Sequence, residues 1–193
     1  MAPLTIGLTG GIAAGKSEAL AACERLGTAT ISSDAVVHEL LDSEPLLGRL
    51  VERWGEGILA DGRVDRAKVG EIVFADPEQL GWLEAQIHPL VGAQIGAWLG
   101  SLPSETEVAV VEVPLLFESE MEKVFDTTIA VIAGDEVRRK RAEARGHAFV
   151  GEREARQLSQ DEKATRAEHV VVNDGSIEDL ERELSALIAN LRQ

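Results

Sequence analysis

The chain has a single cysteine in 193 residues, Cys23, so no internal disulfide can form, which suits a reducing cytoplasm. Its four histidines, His38, His88, His147 and His169, lie far apart and, with one cysteine, give no metal-ligand spacing. Positive charge is scarce: 19 Lys and Arg against 34 Asp and Glu leave a net charge of −15. A surface that acidic repels nucleic-acid phosphates and anionic lipid, so neither is an expected partner. No apolar run approaches the roughly 20 residues that cross a bilayer, and no basic leader with a long apolar core opens the chain. The composition, 45% hydrophobic and 27% charged, is that of a folded globular protein, expected to be cytoplasmic. Its length suits one core with an insertion rather than two ordinary domains.

What is present is a set of short valine- and isoleucine-rich runs. Strands are expected at Pro3 to Leu8, at Thr28 to Ile31 and at Glu107 to Phe117, with Pro114 marking the end of the third. A fourth is expected at Asp126 to Ala133 and a fifth at His169 to Val172. Runs that do not alternate suit strands buried on both faces of a parallel sheet, and helical patterns between them make the chain doubly wound α/β. The spacing of Leu20, Cys23 and Leu26 predicts a helix from Ser17 that stops at Gly27. Between Ile31 and Glu107 no convincing strand occurs, while several helical patterns do, so residues 35–103 read as a mostly helical insertion. It follows the second strand, on the side of the sheet where open α/β folds bind ligands.

The most specific motif is Gly10, four residues, then Gly15-Lys16-Ser17, which satisfies G-x-x-x-x-G-K-[ST] between a predicted strand and a predicted helix. Glycines let the backbone curl so that successive amides point at phosphate oxygens, and the helix start adds its positive end. Gly10, Gly11, Ile12, Ala13, Ala14, Gly15, Lys16, Ser17 and Glu18 are therefore the expected nucleotide-binding residues. Lys16 is suited to the outer phosphates and the Ser17 hydroxyl to Mg²⁺. No Asn-Lys-x-Asp segment follows a late strand, which argues against a guanine-reading switch, and the size argues for a small kinase. Seven of the 19 Lys and Arg fall between Arg138 and Arg156. Such a concentration reads either as a solvated helix or as a clamp on transferring phosphate within a lid at residues 138–160. Arg141 and Arg145, one helical turn apart, are the expected clamp residues.

With these pieces in place the sequence resembles the dephospho-CoA kinase family, P-loop small-molecule kinases that phosphorylate the ribose 3′-hydroxyl of dephospho-CoA with ATP. The resemblance rests on "IGLTGGIAAGKS" (6–17), Asp34 in "ISSDAVVHEL", "DGRVDRAKVGEIVFADPE" (61–78), "LEAQIHPLV" (83–91), "VPLLFE" (113–118), Arg141 with Arg145, "QLSQDEK" (157–163) and "VVVNDGS" (170–176). It implies a P-loop fold with a five-stranded parallel sheet, ATP with Mg²⁺, dephospho-CoA as acceptor, and an acceptor-binding role for the helical insertion. It also implies that Asp34 accepts or orients the hydroxyl proton; on the residues alone, Asp34 reads equally as a helix N-cap. By the same resemblance His88, Pro114 and Glu118 face the acceptor, and Asn173 flanks the adenine. Their plainer readings are a helix break at His88-Pro89 and a turn residue before Asp174-Gly175. The alternatives are a nucleoside monophosphate kinase and a nucleotide-binding module without catalysis.

The chain departs from the family pattern at several positions. Ser32 stands where a first carboxylate is common, so that only Asp34 remains. Ala13-Ala14 stands for Gly-Ser inside the loop, where alanine calls for ordinary backbone angles. Glu112, before the Val113-Pro114 step, is a further candidate for an outer-sphere Mg²⁺ partner. Glu18 replaces a usual threonine; a carboxylate one residue into the helix would repel phosphate if it pointed inward, so it is expected to turn outward.

Overall fold

The computed structural model of the chain describes residues 2–144 and 157–192. In chain order its elements begin with β1 (Leu4–Gly10), α1 (Lys16–Arg25), β2 (Ala29–Ser32), α2 (Ser33–Leu41) and α3 (Glu44–Trp54). There follow β3 (Leu59–Ala60), β4 (Arg63–Val64), α4 (Arg66–Ala75), α5 (Pro77–Ser101), β5 (Val108–Glu112) and β6 (Thr127–Ile132). The last described elements are α6 (Asp135–Ala144), α7 (Gln160–Arg166), β7 (His169–Val172) and α8 (Ile177–Leu191). The chain divides into two compact units, Met1–Ser32 with Leu102–Gln193, and Ser33–Ser101.

The first unit is built on a five-stranded parallel sheet in the order β2-β5-β1-β6-β7. Its register sets Ile6 opposite both Val110 and Thr127, and Leu8 opposite Glu112 and Ile129. Because strand side chains alternate, Ile6, Leu8, Val108, Val110, Ile129 and Val131 share one face, and they pack with Ala19, Ala22 and Cys23 of α1 and Leu180, Leu184 and Ile188 of α8. The 180/184/188 spacing is the apolar stripe that brings α8 onto the sheet. A capping box starts that helix: Ser176 Oγ accepts from the Asp179 amide, and the Asp179 carboxylate accepts from the Ser176 amide. On the opposite face Gly7 leaves room for Phe125, whose ring carbon would lie 2.8 Å from any Cβ at that position. The five strands fall where the valine-rich runs predict them; β1, β5 and β6 are buried on both faces, whereas β2 is half-buried and the edge strand β7 leaves Val170 and Val172 exposed.

The second unit is mostly helical. Leu83, Ile87, Val91 and Ile95 recur every four residues along α5 and are buried, and α2 and α4 pack against that helix. Trp54 and Trp82 meet edge to face with centroids 5.3 Å apart. The helix break suggested by His88-Pro89 does not occur: α5 runs through Pro89 without interruption. Ala85, whose carbonyl loses a donor, and Pro89 both lie on the exposed side of the helix, where water can take the missing amide's place.

A feature not anticipated from the sequence is the hairpin of β3 and β4, with Leu59 paired to Val64 and Ala60 to Arg63. Its two turn residues, Asp61 and Gly62, take φ of 52° and 77°, the positive pair that a type I′ turn requires. The Asp-Gly dipeptide was its signal. The rest of "DGRVDR" has structural work as well. Val64 is buried and donates its amide to Asp42 Oδ1 at 3.0 Å, and Asp65 caps α4 by accepting from the Ala67 amide at 3.0 Å. No helix among the described residues is long and apolar enough to cross a membrane.

Cys23 sits in the core of the first unit, and burial pushes its thiol from the ordinary 9.0 up to about 11. The unfolded chain therefore releases this proton before the folded one does. The stability from keeping the thiol neutral is whole below pH 9.0 and is lost as pH rises toward about 11. The urea midpoint of the wild type is expected to fall over that window relative to Cys23→Ala, which has no thiol; parallel melts at pH 8 and pH 10.5 check it.

Candidate nucleotide-binding site

The loop from Gly10 to Gly15 joins the carboxyl end of β1 to the start of α1. Gly15 is the N-cap of α1 at φ 98°, and a Cβ there would stand 2.2 Å from the Asn173 side-chain nitrogen. At Gly10 a Cβ would stand 2.2 Å from the Val131 carbonyl oxygen, so β6 itself forbids a side chain. No side chain caps α1, so no side chain competes for the amides of its first turn, as an anion at a helix start needs.

Two loop amides are used within the chain, Gly11 N–H donating to the Val131 carbonyl at 3.3 Å and Ala14 N–H to the Gly11 carbonyl at 3.2 Å, and the loop carbonyls meet side-chain donors. Lys16 Nζ donates to the Gly10 and Gly11 carbonyls at 3.3 and 3.1 Å. Arg138 Nε donates to the Ile12 carbonyl at 2.9 Å. The Ala14 carbonyl accepts from Asn173 Nδ2 at 2.9 Å and from Arg141 at 3.3 Å. Arg141 also donates to the Asn173 carbonyl at 3.0 Å and to Asn173 Oδ1 at 3.3 Å, so the two side chains form one brace. In an acidic protein, guanidinium donors also leave positive charge beside the loop.

Asn173 is 4% exposed, and its amide nitrogen donates to the Ile132 carbonyl at 2.8 Å. Its side chain is committed to the loop, so it does more than the plain turn reading allows. Arg141 stands on α6, which also carries solvated pairs such as Lys140 with Glu136 at 2.8 Å. Arg145 lies outside the described residues. Sequence reasoning missed Arg138, 8% exposed, although its place one helical turn before Arg141 was a usable signal. It also missed Gln160, whose Oε1 accepts from the Ala133 amide at 3.2 Å and whose Cβ would crowd a side chain at Gly11. Beside the loop, Gly11, Ile12, Arg138 and the stretch from Leu158 to Glu162 line a cavity of about 540 Å³.

Glu18 turns away from the loop. Its carboxylate accepts from Arg25, two turns further along α1, at 2.9 Å, and the same guanidinium bridges to Glu181 on α8. The charge that could have opposed a phosphate thus ties two helices together.

Ala13 departs from expectation. It does not take ordinary angles but sits at φ 59°, the left-handed region. An L-residue with a Cβ is disfavoured there by roughly 1–2 kcal/mol.

Pro114 and Glu118, expected to face an acceptor, are tied to α7. The Pro114 carbonyl accepts from Thr9 Oγ1 at 3.3 Å and from Lys163 Nζ. Glu118 Oε1 pairs with Lys163 at 3.0 Å and accepts from the Leu158 amide at 2.8 Å. Lys163 is wholly buried, and desolvation lowers its pKa more than Glu118 restores it. A buried ion pair loses roughly 3–5 kcal/mol when one partner is removed, which marks this contact as structural. Glu112, 5% exposed, ends β5 opposite Leu8 and Ser32. In the second unit Asp34 lies exposed in the first turn of α2, two residues beyond the end of β2, and His88 is exposed on α5.

Replacing Ala13 by Gly relieves the left-handed strain but loosens the unfolded chain by roughly 0.4–1 kcal/mol. Ala13→Gly is expected to be neutral or stabilising by up to about 1 kcal/mol, where a typical Ala→Gly change destabilises. Equilibrium urea unfolding of the two proteins measures the difference.

Comparison with known proteins agrees with this geometry. Residues 4–179 match the family model described as dephospho-CoA kinase. A dephospho-CoA kinase of Symbiobacterium thermophilum is 41% identical over 179 residues, covering 90% of this chain and 75% of that one. One from Thermosynechococcus vestitus is 37% identical, covering 94% and 91%. Among solved structures, a Thermus thermophilus protein superposes with a TM-score of 0.86 at 37% identity over 99% of both chains. The dephospho-CoA kinase of Campylobacter jejuni gives 0.73 at 28% identity over 97% and 96%. A shikimate kinase of Acinetobacter baumannii, at a TM-score of 0.53 and 15% identity over 98% and 94%, shares the fold alone. The chain, with its phosphate loop at the end of the central strand, belongs to the dephospho-CoA kinase family.

Proposed function

We propose that this chain transfers the γ-phosphoryl group of ATP to the ribose 3′-hydroxyl of dephospho-CoA, the last step of coenzyme A formation. The observation that carries this reading is the phosphate loop at Gly10–Ser17, braced from outside, in a chain that matches the family over residues 4–179. The loop amides and the start of α1 hold the phosphates. Lys16, which already reaches across the loop, neutralises charge on the outer phosphates as the bond to the leaving ADP lengthens.

Arg141, placed next to Ala14, adds charge near the loop, and Arg145 is proposed for the same role. Asp34 accepts the proton of the 3′-hydroxyl while that oxygen attacks the γ-phosphorus. The bond to the bridging oxygen breaks and ADP leaves. In the acceptor's unit His88 is the proposed contact; Pro114 and Glu118 support the acceptor side through the segment that they anchor. The Ser17 hydroxyl, exposed in the first turn of α1, would hold Mg²⁺. That ion keeps few protein ligands and completes its shell with phosphate oxygens and water, which fits one serine at the loop. When bound it screens the phosphate charge. We place the reaction in the cytoplasm, with neither nucleic acid nor membrane as partner.

Purified protein with ATP and Mg²⁺ should release ADP with dephospho-CoA and not with AMP or CMP. Turnover with AMP alone would identify a nucleoside monophosphate kinase, and ATP binding without turnover on any acceptor a module without catalysis. Asp34→Asn should lower kcat by about 10²- to 10⁴-fold, the contribution of one proton acceptor, with ATP affinity held within about twofold. Loss of ATP binding in that variant would overturn the role given to Asp34.

A further inference from the structure

The helix α7 is seven residues long, too short to hold its shape by propensity, and its capping box at Ser159 and Glu162 fixes only its start. Side chains on successive turns fix the rest. Gln160 Oε1 accepts from the Ala133 amide at 3.2 Å, and its Cβ lies against Gly11, where an added Cβ would stand 2.9 Å away. Lys163, one turn on, donates to the Pro114 carbonyl and pairs with Glu118 at 3.0 Å. One side of α7 therefore touches the phosphate loop, and the next turn holds the segment that follows β5.

Lys163 is where these contacts are tied together. The Pro114 carbonyl that it holds also accepts from Thr9 Oγ1 at 3.3 Å, and Thr9 directly precedes Gly10, the first residue of the loop. Glu118 Oε1 takes Lys163 and the Leu158 amide, while Glu118 Oε2 has no partner among the described residues. One buried ammonium thus links the end of β1, the residue two beyond β5 and the start of α7, all within the first unit.

Stability alone does not call for an ammonium at this place. Lys163 is 0% exposed, and an apolar pair of equal volume often matches or exceeds the stability of a buried ion pair. An apolar pair cannot fix two oxygens at hydrogen-bond distance from a single atom. We propose that Lys163 is a positioning residue for phosphoryl transfer, which through α7 sets the Pro114–Glu118 segment at a fixed distance from the phosphate loop. This rests on the function proposed above, in which that segment supports the acceptor side. The span set by Lys163 then lies between phosphate donor and acceptor, where a misplacement of about 1 Å costs about 100-fold in rate.

Lys163→Met combined with Glu118→Gln separates positioning from packing. The double variant removes both charges at nearly constant volume and keeps a side-chain oxygen for the Leu158 amide. Its thermal melt is expected to stay near that of the wild type, whereas Lys163→Met alone strands Glu118 and should melt lower. With the double variant folded, kcat/KM for dephospho-CoA is expected to fall about 10- to 100-fold. ATP affinity by calorimetric titration should stay within about twofold of the wild type, a split that a loss of packing alone would not produce. Thr9→Val takes the other donor from the same Pro114 carbonyl and touches neither charge. It should lower kcat/KM about 3- to 10-fold with ATP affinity kept, and it gives the reading if the double variant fails to fold. A folded double variant with wild-type kcat/KM would overturn the positioning role and leave the function standing. So would ATP affinity lost in step with turnover, or, where the double variant does not fold, Thr9→Val at wild-type kcat/KM. A wild type that binds ATP and phosphorylates no dephospho-CoA would overturn both.

Discussion

The carbonyls of the phosphate loop need donors, and the rest of the first unit supplies them. Unpaired, each carbonyl in a partly buried loop costs about 1–3 kcal/mol. The chain meets this with side chains drawn from distant segments, Arg138 and Arg141 on α6 and Asn173 after β7, with Lys16 folding back from α1. These donors come from elements that flank β6 and β7, so the parallel order of the sheet is also what brings the brace to the loop. The crowding at Gly15 follows from the same closeness, because Asn173 reaches the backbone and leaves no room for a side chain, while at Gly10 the Val131 carbonyl of β6 does so.

The brace changes how charge near the nucleotide is read. A basic segment invites assignment to the phosphates, yet Arg138 and Arg141 hold carbonyls of the loop and of Asn173 here. Lys163 plays a related part on the other side of β1, where it joins Pro114 and Glu118 to α7. Glu18 shows the opposite sign managed in the same way: a carboxylate too close to a phosphate site is drawn off by Arg25 and used to join α1 to α8. Each of these charges has a partner that packing brings within reach.

Much of the fold was legible because its signals are local. Five valine-rich runs, a glycine motif at a strand end and four-residue apolar periods each depend on a few neighbours in sequence. The hairpin at Asp61-Gly62 was equally local and was passed over because two-residue strands carry no periodicity. The helix through Pro89 failed as a break because exposure of the 85/89 edge removes the penalty that a buried proline would incur. Ala13 was misjudged for a different reason: its left-handed φ is imposed by the curl of the whole loop and outweighs the preference of one residue.

By itself the sequence determined the strands, the loop between β1 and α1, the family, and the residue types able to hold phosphate, since these depend on spacing along the chain. Tertiary structure alone decided which cations serve the loop and which remain open. The sequence singles out the basic segment that carries Arg138 and Arg141, but nothing in it says that these two bind carbonyls at the loop while Arg63 and Arg66 line a cleft without a partner among the described residues. That difference is made by which surfaces pack together: a long side chain pairs with whatever acceptor the fold brings within hydrogen-bond reach, and only the folded chain sets that distance.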